Sequence, residues 1–144
     1  IATNSFLYKI EVKDTDKCSF CKSENECLKH LFWDYTIVNE FWNELRTWIQ
    51  EHIKSKTVIN LTQLTCRGLV KNTSNILLHH VLLIARHYIY SCRLNGTLPT
   101  CKIFPNIVQT VNGIEKAHVS KMNTQEMYDK KWADYRNPLH SEQI

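Results

Sequence analysis

Two cysteines and a histidine near the start of the chain have the residue types and the spacing of a metal site. The spacing is Cys18-x2-Cys21-x8-His30, with a short turn between the cysteines and a segment that can begin a helix at the histidine. Such a turn brings two thiolates to one point and the helix returns an imidazole nitrogen, which together are ligands of tetrahedral zinc. The sequence therefore predicts that Cys18, Cys21 and His30 bind zinc.

The fourth ligand of this predicted zinc site is open. Cys27 lies three residues before His30 and Asp34 lies four residues after it, so on a helix either side chain shares the face of the histidine. We take Cys27 as the provisional fourth ligand, with Asp34 or a water molecule as options, because Tyr35 is a poor zinc ligand. The alternative for the whole cluster is a set of reduced thiols with His30 buried and hydrogen-bonded, without metal.

The segments around the cluster predict a mainly α-helical fold. Residues 6–12, FLYKIEV, are aromatic and β-branched and indicate a short N-terminal strand. Apolar residues then recur at helical spacing in four segments, which begin near Ile37, Ser74, Pro99 and Thr124. The second segment is apolar around most of its girth and ends at Asn95-Gly96, so we expect it to be the central helix. The predicted fold is a small Cys/His zinc knuckle followed by a bundle of about four helices.

The charge of the chain is unevenly distributed. The formal net charge is +4, with a balance of −1 over residues 1–60 and +5 over residues 61–144, and no acidic residue lies between Glu51 and Glu115. A long acid-free, basic span favours a polyanionic partner by Coulomb attraction. The alternative is the solvated face of a helical protein.

The predicted central helix carries basic and aromatic residues on one face. Its heptad spacing places His79, Arg86 and Arg93 together, and Tyr90 lies four residues after Arg86. Two guanidinium groups flanking a tyrosine can hold phosphates and a stacked base, although a solvent-facing stripe is the alternative. The residues predicted to bind nucleic acid are Arg86, Tyr90, Arg93, Lys102 and His79, and Lys54 and Lys56 can extend this surface.

The tryptophans are expected to serve the core rather than nucleic acid. Trp33, Trp42 and Trp48 lie at helical spacing, which is more typical of packing than of base stacking, and Trp132 is expected to pack against the central helix.

The segment around the cysteine–histidine cluster and the helix that follows it resemble a known family. The run CSFCKSENECLKHLFWDY followed by FWNELRTWI resembles the zinc-binding region at the C-terminal end of the reverse transcriptase polyproteins of non-LTR (LINE-type) retrotransposons. The resemblance covers about residues 5–135. The positions that match the family pattern are Cys18, Cys21, Glu26, His30, Leu31, Phe32, Trp33, Phe41 and Trp42. The chain departs from the pattern at Tyr35, where the family usually has a cysteine.

The resemblance implies a partner and a place in a larger protein. RNA or DNA and the rest of the polyprotein are the expected partners, in the nucleus and cytoplasm, and the parent is an RNA-directed DNA polymerase. This chain has no adjacent Asp pair to hold catalytic magnesium and no Gly-rich nucleotide loop, so we expect a non-catalytic domain that binds RNA or nicked target DNA. No apolar run is long enough to cross a membrane.

The resemblance also suggests how the chain is divided. The chain begins at Ile1, and we expect it to be a piece of a longer protein. The expected parts are a segment from the preceding polyprotein region (1–16), a zinc-knuckle-like segment (17–36), a helical domain (37–135) and a polar tail (136–144).

Two other functions fit parts of the sequence. The domain can serve only as a structural scaffold that docks on the polymerase part of the polyprotein. It can also be a small secreted helical protein with disulfides, since six cysteines and three N-x-T/S triplets are present. Against secretion, the cysteines form one tight cluster plus three scattered residues, which we expect to be buried free thiols: Cys66, Cys92 and Cys101.

Overall fold

The computed structural model describes residues 2–53 and 76–135, and both ranges are mainly helical. In these two ranges, helix α1 is followed by a π-helical turn and then by four longer helices. Their bounds are Asn4–Lys9 for α1, His30–Asp34 for the π-helical turn, Thr36–His52 for α2, Ile76–Asn95 for α3, Phe104–Met122 for α4 and Gln125–Trp132 for α5. The mainly α-helical prediction is confirmed, and each of the four helical patterns read from the sequence contains one of α2 to α5. Helix α4 begins at Phe104 rather than near Pro99, with Pro105 in its first turn, where the missing N–H is tolerated.

The predicted N-terminal strand is wrong, because residues 6–12 begin within helix α1 and no strand occurs in residues 2–53 or 76–135. Thr3 caps the helix with Oγ1, which accepts a hydrogen bond from the N–H of Phe6 at 3.4 Å. A carboxylate oxygen of Glu26 accepts from the N–H of Asn4 at 2.8 Å. A hydroxyl cap and a negative charge at the first turn both stabilise a helix.

The apolar faces of α2, α3 and α4 pack into one hydrophobic core. Phe104 at the start of α4 is fully buried, and its ring lies edge-on to Phe41 and Trp48 of α2 at 5.7 and 5.9 Å between centroids. Trp42 is buried in the same core and Trp33 packs against it, so the predicted core role of these tryptophans is confirmed. The buried residues of α3 in this core are Leu77, Leu78, Val81, Leu82, Ala85, Tyr88, Ile89 and Cys92.

Helix α5 closes the other side of α3 and α4. The side chain of Trp132 is buried, and its ring is edge-on to His80 of α3 at 6.0 Å, which confirms the expected packing against the central helix.

The π-helical turn connects the cysteine segment to α2. It buries two consecutive side chains, Leu31 and Phe32, in the core, and the carbonyl of Phe32 accepts from the indole Nε1 of Trp42 at 2.7 Å. The N–H of Tyr35 donates to the carbonyl of His30 at 3.1 Å and closes the wide turn. The start of this turn, and with it His30, is thereby fixed to α2.

Some sequence predictions lie outside the described residues. These are the start of the second helical pattern at Ser74, the basic residues Lys54 and Lys56, the thiol of Cys66 and the tail 136–144. Among the helices that the structure describes, none has the length and apolarity needed to span a membrane.

Candidate metal centre

The two cysteines of the predicted zinc site stand on a tight backbone loop. The N–H of Cys18 donates to the carbonyl of Glu24 at 2.8 Å, and the N–H of Lys22 donates to the carbonyl of Cys18 at 2.9 Å. Lys22 has a left-handed backbone with φ 58°, which lets the chain reverse directly after Cys21. The loop therefore turns both cysteine side chains toward the same side.

Three ligand atoms converge at this loop. The sulfurs of Cys18 and Cys21 and a ring nitrogen of His30 all lie within 4.8 Å of one another. The Sγ of Cys21 lies 3.4 Å from Nε2 of His30. Zn–S bonds of about 2.3 Å and Zn–N bonds of about 2.0–2.1 Å at tetrahedral angles place sulfur and nitrogen roughly 3.5 Å apart. The three residues thus fit a metal ion of tetrahedral preference, as the spacing predicts.

The two thiols differ in acidity. Burial raises the pKa of Cys21, but hydrogen bonds from the backbone of Glu24 and Ser23, the Ser23 hydroxyl and the His30 ring outweigh it and lower that pKa to about 6. Burial, together with the nearby Cys21 sulfur, raises the pKa of Cys18 above 9.0. Cys21 is therefore largely a thiolate at neutral pH, which is the form that binds metals.

Within residues 2–53 and 76–135, no fourth His, Cys, Asp or Glu belongs to this group of converging ligand atoms. The exposed Cys27 uses Sγ to accept from the backbone N–H of His30 at 3.4 Å, and Asp34 lies 3.9 Å from the amine of Lys29. Neither is part of the group of converging ligand atoms found among the described residues. The provisional choice of Cys27 as fourth ligand therefore finds no support in the geometry, and water stays the open option.

Tyr35, at the position where the resembling family has cysteine, packs beside the three ligands as an aromatic residue. Its ring stacks on Phe20 at 5.7 Å with 11° between the planes, and lies 5.9 Å from the ring of His30. Burial and the nearby Cys21 and Cys18 sulfurs raise the pKa of Tyr35 above 10.0. The ring of Tyr35 thus covers one side of the three ligands.

A buried ion pair holds the loop to the rest of the fold. Glu26, which is completely buried, accepts on Oε1 from Nε of Arg93 at 2.9 Å and from its Nη2 at 2.5 Å. Its Oε2 accepts from the N–H of Ser19, between the two cysteines, at 2.7 Å. The Arg93 side chain is only 6% exposed. One carboxylate thus joins the cysteine loop to the last turn of α3.

Asn4 completes this buried network. Its Nδ2 donates to the carbonyl of Lys17 at 2.7 Å, and its Oδ1 accepts from Nη2 of Arg93 at 3.1 Å and from Nζ of Lys13 at 2.9 Å. Sequence reasoning singled out Glu26 only as a family match and did not identify Asn4. The feature of the sequence that could have pointed to Glu26 is its position between the ligands Cys21 and His30.

The predicted phosphate contact at Arg93 is corrected by this network. The guanidinium is buried against Glu26, with Cζ 5.7 Å from the ring centroid of Tyr90, because a buried carboxylate needs a cationic partner. Arg86, Tyr90 and His79 are half-buried on α3, and Lys102 is exposed in the loop before α4. The guanidinium of Arg93 is therefore not available to the predicted nucleic-acid-binding face of α3.

The five cysteines in the described ranges are free thiols. Cys92 is buried as expected, and burial together with the charge of Glu44 raises the pKa of the half-buried Cys101 to about 11.

Comparisons with family models, with curated proteins and with solved structures found no match to this chain.

We predict that Arg93→Met destabilises the chain by about 3–5 kcal/mol, because it leaves the buried carboxylate of Glu26 without its partner. Urea unfolding measures this effect. The matched control is Lys102→Met, which removes an exposed cation and should change stability by no more than about 0.5 kcal/mol. Adding Glu26→Gln to Arg93→Met should recover part of the loss, since no isolated charge remains. Equally small losses of stability in Arg93→Met and Lys102→Met would contradict the buried ion pair.

We also predict that Glu26 makes stability dependent on acid. Burial raises the pKa of this carboxyl, but hydrogen bonds from Arg93 and the N–H groups of Ser19 and Asn4 outweigh it and hold it below 4.5. Because the folded-state pKa is the lower one, the stabilisation is present above pH 4.5 and is lost as pH falls through the folded-state value. The free energies of unfolding of the wild type and of Glu26→Gln, measured with urea, should therefore converge as the pH falls. A difference between the two that stays constant with pH would refute this prediction.

Proposed function

We propose that this chain is a non-catalytic nucleic-acid-binding domain from the C-terminal part of a LINE-type reverse transcriptase. The observation that carries the proposal is the convergence of two cysteine sulfurs and a histidine nitrogen within 4.8 Å. It occurs in the segment whose residues resemble the zinc-binding region of that family. RNA or nicked DNA is the partner, and the domain performs no chemical step itself.

Zinc is the metal that best suits the three ligands in this proposal. Two thiolates and an imidazole are ligands that zinc accepts in tetrahedral structural sites, whereas magnesium and calcium prefer oxygen. When bound, zinc supplies structural cross-linking rather than catalysis, because it ties the cysteine loop to the π-helical turn. Cys18, Cys21 and His30 hold it, and water or an unassigned side chain takes the fourth position.

Lysines and acids both lie on the surface around the cysteine loop. Lys17 and Lys22 are exposed on the loop and Lys29 is exposed just before His30. The buried acid of the same segment, Glu26, is neutralised internally by Arg93. Asp14 and Glu24 are exposed as well, and Lys29 lies 3.9 Å from Asp34, so the charges around the loop nearly balance. The support for a polyanionic partner comes from the acid-free span between Glu51 and Glu115, which includes the exposed Lys102.

A specific observation favours a second function, docking on the polymerase part of the polyprotein. Four large apolar side chains at the start of the chain are about half exposed or more, where a soluble surface usually carries polar residues. They are Phe6 at 52%, Tyr8 at 51%, Ile10 at 49% and Val12 at 65%. In this alternative the domain is a scaffold, and it does not bind nucleic acid.

We predict that the chain binds one Co²⁺ with the visible absorption of a tetrahedral thiolate site, and that Zn²⁺ displaces it. Cys21→Ser should lose this absorption, because it removes a converging ligand and the more acidic thiol. The matched control is Cys27→Ser, which changes a cysteine outside the group and should keep the absorption. Loss in Cys27→Ser would restore Cys27 as the fourth ligand, and an unchanged spectrum in Cys21→Ser would remove the metal site.

We further predict salt-dependent binding of the chain to structured RNA and to nicked duplex DNA. Contacts with about four phosphates give a log–log slope against salt near −3 on single strands. Lys102→Gln should weaken binding to all sequences alike and reduce the slope by about 0.7–0.9, the value of one phosphate contact. The control is Lys121→Gln, an exposed lysine outside the predicted face. Fluorescence anisotropy measures all three proteins, and no binding at low salt would favour the scaffold.

A further inference from the structure

A groove of about 450 Å³ lies between α4 and α5, outside the candidate metal centre. One wall comes from α4, where Gln109, Asn112, Gly113 and Lys116 follow the i, i+3, i+4, i+7 spacing of one helix face. The other wall is aromatic and comes from α5 and the residues after it, Tyr128, Trp132 and Tyr135. The volume is in the range of small-molecule sites, roughly 300–1,000 Å³.

The aromatic wall is held in place by polar contacts behind it. The indole Nε1 of Trp132 donates to Oε2 of Glu115 at 2.7 Å, and Nζ of Lys131 donates to Oε1 of the same carboxylate at 2.9 Å. The rings of Tyr128 and Tyr135 lie 6.3 and 5.4 Å from that of Trp132. A ring surface fixed in this way is ordered before a ligand arrives, which reduces the entropy lost on binding.

The polar side chains of the groove suit a heteroaromatic ring, with a cation on the α4 wall and one carboxylate, Asp129, on the α5 wall. That carboxylate accepts from Nε2 of Gln125 at 2.8 Å. The hydroxyl of Tyr128 donates to Oδ1 of Asn112, which orients the amide and leaves its Nδ2 group as a donor for a ligand. Lys116 is an exposed cation on the same face of α4. Stacking rings, an oriented amide and a nearby ammonium are the groups that recognise a nucleobase and its phosphate.

Gly113 keeps the groove open. It lies inside α4, where glycine is the least favourable residue after proline, and a Cβ added there meets nothing within 4 Å. Packing therefore gives no reason for glycine at this position. What the missing side chain does provide is free space in the groove.

We propose that this groove binds the planar ring of a nucleobase against its aromatic wall, with Asn112 as hydrogen-bond donor and Lys116 near the phosphate. The base belongs either to an unpaired nucleotide of an RNA or DNA strand or to a free nucleotide. The strand form rests on the proposed nucleic-acid function and adds to it a base-stacking site that does not depend on the metal.

The test uses Gly113→Leu, which places a side chain in the groove without meeting a neighbour at Cβ. The matched control is Ala117→Leu, which adds a leucine to an exposed position of α4 outside the groove lining. Circular dichroism and urea unfolding check that both variants fold. The 144-residue chain and its variants are titrated with labelled short single strands, with the same strands carrying abasic positions, and with a nucleoside monophosphate by tryptophan fluorescence.

We expect the wild type to prefer the base-bearing strand by about 5- to 150-fold, the range for one stacked base. Gly113→Leu should lose that preference and Ala117→Leu should keep it. Quenching by the nucleoside monophosphate without strand binding, abolished in Gly113→Leu, would support a free-nucleotide site and overturn the proposed nucleic-acid function. Equal binding of base-bearing and abasic strands, or a preference unchanged in Gly113→Leu, would overturn the groove alone. Binding of no probe would overturn both.

Discussion

The buried ion pair between Glu26 and Arg93 joins parts of the chain that are far apart in sequence. Removing two charges from water is costly, and the cost is offset only when the remaining hydrogen-bonding positions are filled. Here both carboxylate oxygens are filled, by the guanidinium and by the backbone of Asn4 and Ser19. The pair therefore sets the relative positions of α1, the cysteine loop and the end of α3.

The metal ligands depend on this interaction through the backbone. Ser19, which donates to Glu26, lies between Cys18 and Cys21, and Glu26 itself lies between Cys21 and His30. The path of the loop is therefore determined from inside the fold by a buried carboxylate. From the C-terminal side it is fixed by the π-helical turn, whose Phe32 carbonyl accepts from the indole of Trp42. A bound metal would strengthen an arrangement that packing and hydrogen bonds already favour.

Ion pairs within the fold determine which charges the protein offers to a partner. The acid-free span of the sequence includes Arg93, but this cation forms an ion pair with Glu26, an acid from another segment. Lys131 is likewise engaged, by Glu115 of α4, in the contact that steadies the aromatic wall of the groove. The accessible positive charge therefore differs from the charge counted along the chain. Burial of ion pairs, rather than composition, decides which residues remain for phosphates.

The sequence by itself determined the features that depend on local spacing. Helical periodicity located α2 to α5 and the core tryptophans, and the spacing of Cys18, Cys21 and His30 identified the converging ligands, because both are encoded within a few turns of chain. Tertiary structure decided the rest. Residues 6–9 of the FLYKIEV segment lie in helix α1, where Glu26, 22 residues from Asn4, supplies an acceptor for the first turn. The side chain of Arg93 is buried because it pairs with Glu26, which lies 67 residues away in the sequence. Long-range electrostatic pairing overrides local propensity, and no short sequence window contains both partners.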